Sequence, residues 1–164
     1  MKPARIVNFS HSDGMKQILE VKNQCKPKIV FTSGVFDLVH AGHLKYLLAA
    51  RHLGNSLIVG VNSDNSARRL EKGPSRPFVG AEDRAGLLAC LRFVDGVILF
   101  DEDTPFTLLK ALNPSIFVKG GDYSEKQLRD TDLKGLDDIE LKLMPLKQNY
   151  SSTNLVRKIV AAHS

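Results

Sequence analysis

Two histidines, His40 and His43, stand three residues apart with only Ala41 and Gly42 between them. Ahead of them runs Ile29-Val30-Phe31, apolar and β-branched in the manner of a buried strand, followed by the small residues Thr32, Ser33 and Gly34 and the carboxylate Asp37. Behind them Leu44, Leu47, Leu48 and Leu53 recur at helical spacing. A helix that begins near Ala41 puts both imidazoles on one face of its amino end. Unpaired N–H groups and the helix dipole favour an anion there. Gly42 has no side chain to keep a phosphate off that backbone. Zinc suits the pair poorly, because neither a cysteine nor a third histidine lies nearby to complete a ligand set. Two surface histidines would need no strand and turn before them; the order strand, turn, helix favours the anion site.

Three further stretches could serve phosphate chemistry. Arg68 to Pro77 holds two prolines, a glycine and four basic residues, Lys72 among them, which makes it a loop able either to grip phosphate or simply to lie solvated. The amphipathic helix expected over Gly80 to Phe93 follows it and carries Arg84. Lys119-Gly120-Gly121-Asp122-Tyr123 follows a short buried run, Ile116-Phe117-Val118, and its paired glycines let backbone approach a ligand or make a plain turn. Tyr150-Ser151-Ser152-Thr153-Asn154 opens a last helix, Leu155 to Ala162. One hydroxyl there would be a helix cap, whereas three in a row favour a second anion site.

The elements that must position these residues alternate along the chain. Strands are expected near 29–31, 56–61, 96–100, 116–118 and 139–144, the last alternating like an edge strand, with helices between them. Thr104-Pro105 reads as a cap and first helical position for a helix running to Leu112. This alternation predicts an α/β fold with a doubly wound parallel sheet, whose ligands bind outside the carboxyl ends of the strands. Thr32 to His43, Asn62 to Asp64 and Lys119 to Tyr123 all fall at such ends. Residues 1–27 read as a leader and one helix, roughly Gly14 to Gln24, and 28–164 as a single domain.

The 164 residues, 43% hydrophobic and 25% charged, have the balance of a soluble globular domain. A net charge of +5 suits phosphate ligands. The basic residues are scattered and form no nucleic-acid motif. Neither a signal peptide nor an apolar run of membrane-spanning length is present, so a cytoplasmic protein is expected. Cys25 and Cys90 show no CxxC pairing and read as reduced, buried thiols.

His40-Ala41-Gly42-His43, preceded by Gly34-Val35-Phe36-Asp37, resembles the HxGH motif of the nucleotidyltransferase superfamily, whose fold is a Rossmann-like doubly wound sheet. Within it the chain is similar, from about Lys28 to Ile159, to the bacterial adenylyltransferases that act on D-glycero-β-D-manno-heptose 1-phosphate. Lys119 to Tyr123 looks like the loop after the corresponding strand in those enzymes. Many members join this domain to a sugar kinase. With no kinase here, the resemblance implies a transferase on a separate polypeptide.

The resemblance implies transfer of AMP from ATP to a sugar 1-phosphate, giving ADP-heptose and pyrophosphate, with Mg²⁺ on the triphosphate. His40, His43 and Lys45 would be catalytic. Thr32, Ser33, Gly34, Phe36, Gly42, Lys119, Gly121, Asp122, Ser151, Ser152 and Thr153 would hold the nucleotide. Asp37 would meet metal or acceptor, and Lys72 and Arg84 a phosphorylated substrate. Ser152 stands where a threonine is expected, and Ser33 where an asparagine is usual. Implied partners are the small-molecule substrates, with a homo-oligomer and functional pairing with a separate sugar kinase left open, and neither nucleic acid nor membrane. Two alternatives share the motif: another HxGH transferase, such as a glycerol 3-phosphate cytidylyltransferase or FAD synthetase, and a non-catalytic nucleotide-binding protein.

Overall fold

The computed structural model describes residues 2–70, 76–121, 123–145 and 152–163. The described residues form strands β1 (Arg5–Asn8), β2 (Ile29–Gly34), β3 (Ser56–Asn62), β4 (Gly96–Phe100), β5 (Ile116–Gly120) and β6 (Glu140–Met144). Between and after them lie helices α1 (Gly14–Gln24), α2 (Ala41–Arg51), α3 (Asp64–Arg69), α4 (Ala81–Ala89), α5 (Phe106–Leu112), α6 (Glu125–Asp130) and α7 (Ser152–His163). One sheet runs β1-β4-β3-β2-β5-β6, with every pairing parallel.

Strands β2, β3 and β4 are buried almost throughout because helices cover both faces. The side-chain alternation divides their residues between two cores. Val30, Val59, Val61, Val97 and Val118 pack with Leu47 and Ala50 of α2 and Leu88 of α4. Phe31, Ile58, Ile98 and Phe117 pack on the opposite face with Ile18 of α1 and Leu108, Leu109 and Leu112 of α5. Gly60 of β3 makes room for Phe31: a Cβ there would lie 2.7 Å from the Phe31 Cζ. Among the described residues no helix is long and apolar enough to cross a membrane.

The five expected strands are present, and α1 has the expected limits. Residues 1–27 are more than a leader and a helix. Their strand β1 pairs with β4 and buries Val7. Its four residues, Arg-Ile-Val-Asn, bury only one side chain fully, too little apolar pattern to stand out. Helix α4 stops at Ala89 although Leu91 and Phe93 continue to pack against the core. Pro105 is the N-cap of α5, not its first residue, and the Glu102 carboxylate accepts from the Thr107 N–H in the helix's first turn at 3.3 Å. Cys90, expected to be buried, is exposed at the end of α4, while Cys25 is half-buried and both are free thiols.

If β1 belongs to the fold, its two central residues answer differently to a charge. Val7→Asp should cost on the order of 3 kcal/mol or more in urea unfolding, because an unpaired carboxylate enters the core. Ile6→Asp, at a position 42% exposed, should cost about 1 kcal/mol or less. Equal effects would mean that β1 does not pack as described.

Candidate active site

In the strand order, β2, β3 and β4 succeed one another in one direction, while β5 and β6 extend from the other side of β2. The direction of winding therefore reverses between β2 and β5, and the crevice at their carboxyl ends is where such a sheet binds ligands. The turn from Val35 to His40 leaves β2 at that point and delivers the chain to α2. Within it Phe36 has a positive φ of 52°, a costly conformation for a bulky residue. Its ring is buried and meets the His43 ring edge-on, with centroids 5.4 Å apart.

His40 is the N-cap of α2, and the two histidines cap each other reciprocally. The His43 backbone N–H donates to His40 Nδ1 and the His40 backbone N–H to His43 Nδ1, each over 3.4 Å. The rings stack with centroids 4.0 Å apart and 18° between their planes. A ring whose Nδ1 accepts a hydrogen bond is neutral and carries its proton on Nε2. Both side chains thus offer an Nε2–H donor at a helix amino end. Burial lowers the His40 pKa below its ordinary value, which favours the neutral ring that this arrangement requires.

A second helix amino end arrives from far along the chain. Ser152 opens α7, and its hydroxyl donates to Leu38 O at 3.3 Å, joining that helix to the β2–α2 turn. Thr153 follows, exposed, in the same first turn, and Lys45 lies exposed on α2. On the other side of the turn, Lys119 is buried, with Nζ 3.4 Å from Ser33 O and 3.9 Å from an Asp132 carboxylate oxygen. The Gly121 N–H donates to Met144 O at 2.7 Å, which fastens the loop after β5 to the end of β6. Gly34 and Gly42 sit at the end of β2 and in the first turn of α2. Lys72, Asp122 and Ser151 lie outside the described residues.

Comparison with known proteins agrees with this geometry. Residues 31–158 match the cytidylyltransferase-like family. The chain belongs to the cytidylyltransferase-like family. It is 45% identical over 148 residues to "Bifunctional protein HldE" of Syntrophotalea carbinolica, covering 90% of this chain and 30% of that protein. It is 44% identical over 163 residues to the Helicobacter pylori protein of the same name, covering 98% of this chain and 34% of that one. The chain thus spans about a third of the length of these relatives. Among solved structures, a lipopolysaccharide core biosynthesis protein from Thermoplasma volcanium superposes with a TM-score of 0.62 at 30% identity, covering 75% of this chain and 98% of that one. Pantothenate synthetase from Thermus thermophilus has the same TM-score at 15% identity, covering 92% of this chain and 67% of that one, and shares the fold alone.

Within this cytidylyltransferase-like fold, three residues expected at the ligand turn inward. Arg84 is fully buried. Its Nε donates to Val79 O at 2.8 Å, Nη1 donates to Val35 O, and Nη2 pairs with an Asp64 carboxylate oxygen at 2.7 Å. With its nitrogens committed to protein oxygens, Arg84 holds the turn and is not placed as a substrate ligand. Asp37 is also buried, and accepts from Arg76 Nη1 at 2.9 Å and from the backbone N–H groups of Phe78 and Val79 at 2.7 and 3.0 Å. It anchors the segment after the basic loop. Thr32 is buried with its hydroxyl 2.7 Å from the Tyr46 hydroxyl, which itself donates to Val118 O at 3.1 Å. Its side chain ties β2 to α2 and β5.

Tyr46 is a support that sequence reasoning missed, while Asp64 and Arg76, within stretches expected at the ligand, serve as supports to Arg84 and Asp37. Tyr46 carried one available signal, since it lies one helical step beyond His43.

Two outcomes follow from these contacts. Arg84→Ala should destabilise the protein by roughly 3 kcal/mol or more, through a cavity and two orphaned carbonyls. A solvated phosphate ligand would instead leave the denaturation midpoint nearly unchanged. His40, whose folded pKa lies below the unfolded value of about 6.5, should contribute stability that is complete above that pH and lost as pH falls through the lower folded value. Melts between pH 8 and 5 should therefore show an acid loss that His40→Asn lacks. Identical profiles would remove His40 from the pH response.

Proposed function

We propose that the chain transfers AMP from ATP to D-glycero-β-D-manno-heptose 1-phosphate, giving ADP-heptose and pyrophosphate. The observation that carries the reading is the pair of histidines whose Nδ1 atoms each accept the other's backbone N–H at the α2 amino end, where the sheet reverses direction. The heptose acceptor is supported by similarity to proteins named HldE and to one named for lipopolysaccharide core biosynthesis. The bifunctional relatives also favour a sugar kinase as supplier of the acceptor, either fused or separate. A cytoplasmic site is in keeping with the use of ATP.

An oxygen of the sugar phosphate attacks the α-phosphorus of ATP. The bond from that phosphorus to the oxygen bridging the β-phosphorus breaks, and pyrophosphate departs with the charge. The attacking oxygen is already ionised, so no residue need remove a proton. The protein's task is alignment and neutralisation of charge. His40 and His43 donate from Nε2 to phosphate oxygens, the α2 backbone at Gly42 adds N–H groups, and Ser152 and Thr153 at the α7 amino end take the terminal phosphates. Lys45 extends this positive side. The described residues contain no cluster of three metal-ligating side chains. Asp37 is occupied by Arg76 and two backbone N–H groups. Mg²⁺ fits as part of the ATP substrate, held by phosphate oxygens and water, where it neutralises triphosphate charge.

Pyrophosphate release tests the reading, with ATP and CTP each offered to a panel of sugar phosphates and glycerol 3-phosphate. The heptose phosphate with ATP should be preferred. A preference for CTP above about tenfold, roughly 1.4 kcal/mol, would transfer the chain to the cytidylyltransferases. His43→Ala should lower kcat by about 10²–10³ with the fold intact, and near-normal turnover would take the pair out of the mechanism.

A further inference from the structure

The basic run Arg68 to Pro77 has the composition of a phosphate grip, and its described arginines are held in different ways. Arg68 lies exposed, with Nη1 donating to Asn65 Oδ1 at 3.0 Å. Arg69 turns to the loop after β4, where it pairs with Asp103 at 2.6 Å and Asp101 at 3.7 Å. Arg76 differs from both. Its side chain is only 12% exposed, yet one nitrogen alone, Nη1, meets a protein acceptor, Asp37 Oδ2 at 2.9 Å. Its Nε and Nη2 make no hydrogen bond among the described residues. Donors largely withdrawn from water and left without an acceptor cost stability, which points to an acceptor that arrives with a ligand.

The guanidinium is also fixed in place before any ligand comes. Asp37 holds it at Nη1, and the Phe78 ring lies 4.8 Å from its Cζ. Phe78 and Val79 are fastened in turn through their backbone N–H groups to Asp37 Oδ1. The rotamer freedom an arginine gives up when it grips an anion is therefore already spent. Those two backbone N–H groups share the Asp37 charge, so the carboxylate does not cancel the attraction of Arg76 for an anion. The free nitrogens form the useful edge, because Nε–H and one N–H of Nη2 point the same way in the guanidinium plane and suit two oxygens of one phosphate. Asp37 belongs to the turn that delivers His40 to the α2 amino end, so Arg76 and the histidine pair are anchored on one segment.

We propose that Arg76 is a phosphate ligand of this site: Nη1 stays on Asp37 while Nε and Nη2 grip a phosphoryl group of ATP or of the sugar phosphate. The proposal rests on the transfer reading for the identity of its ligand. It gives to Arg76 the task that the buried Arg84 cannot perform.

Arg76→Lys keeps a cation for Asp37 and removes the two-pronged edge. Calorimetry on the parent and this variant takes three probes: an unreactive ATP analogue, inorganic pyrophosphate and heptose 1-phosphate. At least one Kd should rise about tenfold, with a melting temperature within about 2 °C of the parent. Weaker binding of the ATP analogue or pyrophosphate assigns the edge to the triphosphate, and weaker binding of heptose 1-phosphate alone assigns it to the acceptor. Unchanged Kd values for all three overturn the proposal, and the transfer reaction stands. In the parent, the Arg76 Nε–H signal in nitrogen NMR should move on saturation with the probe that the variant binds weakly. A signal that stays overturns the proposal even where the variant is destabilised, since Arg76 then only fastens Asp37. A parent that releases no pyrophosphate but binds a probe through Arg76 would sink the transferase reading and keep the ligand.

Discussion

The reciprocal capping of α2 by His40 and His43 is the constraint on which the site depends. A helix amino end leaves backbone N–H groups unpaired, and here two of the nearby ones are taken by ring nitrogens instead of a serine or aspartate oxygen. An ordinary cap would stabilise the helix equally well. An imidazole cap does one thing more, because satisfying Nδ1 leaves the proton on Nε2 and turns a helix cap into a phosphate donor. Local folding and preparation for chemistry are then the same pair of hydrogen bonds, and no ligand is needed to set the tautomers.

That cap works only if the turn before it is rigid, and the rest of the site serves this end. Phe36 accepts an unfavourable backbone conformation, which persists because its ring is buried and packed against His43. Arg84 reaches from α4 to Val35, Val79 and Asp64, while Asp37 draws the 76–79 segment onto the same turn. Thr32, Tyr46 and Val118 hold α2 to both strands beside the crevice. These contacts explain why charged and polar residues near a phosphate site need not touch phosphate. A buried guanidinium with three protein acceptors is a fastener.

Much of this was legible in the sequence. Buried parallel strands write themselves as short apolar runs, and the α/β alternation with the HxGH spacing located the crevice and its histidines. What the sequence hid was the direction in which side chains point. Arg84 and Asp37 have the residue types of ligands, and only the fold shows which protein groups, backbone and side chain, they bond. Thr32 and Ser33 are neighbours of similar chemistry, yet strand alternation sends the first to Tyr46 and the second to the opposite face of the sheet. Strand β1 was missed because an edge strand that fully buries one side chain carries almost no apolar signature.

The site turns on where two protons sit, and nitrogen NMR of the imidazole rings reports that directly. At pH 7.5, with the parent protein assigned through His40→Asn and His43→Asn, both rings should show an unprotonated Nδ1 and a protonated Nε2, and an unreactive ATP analogue should shift the two Nε2 signals. Rings found as the Nδ1–H tautomer, or as imidazolium, would contradict the account.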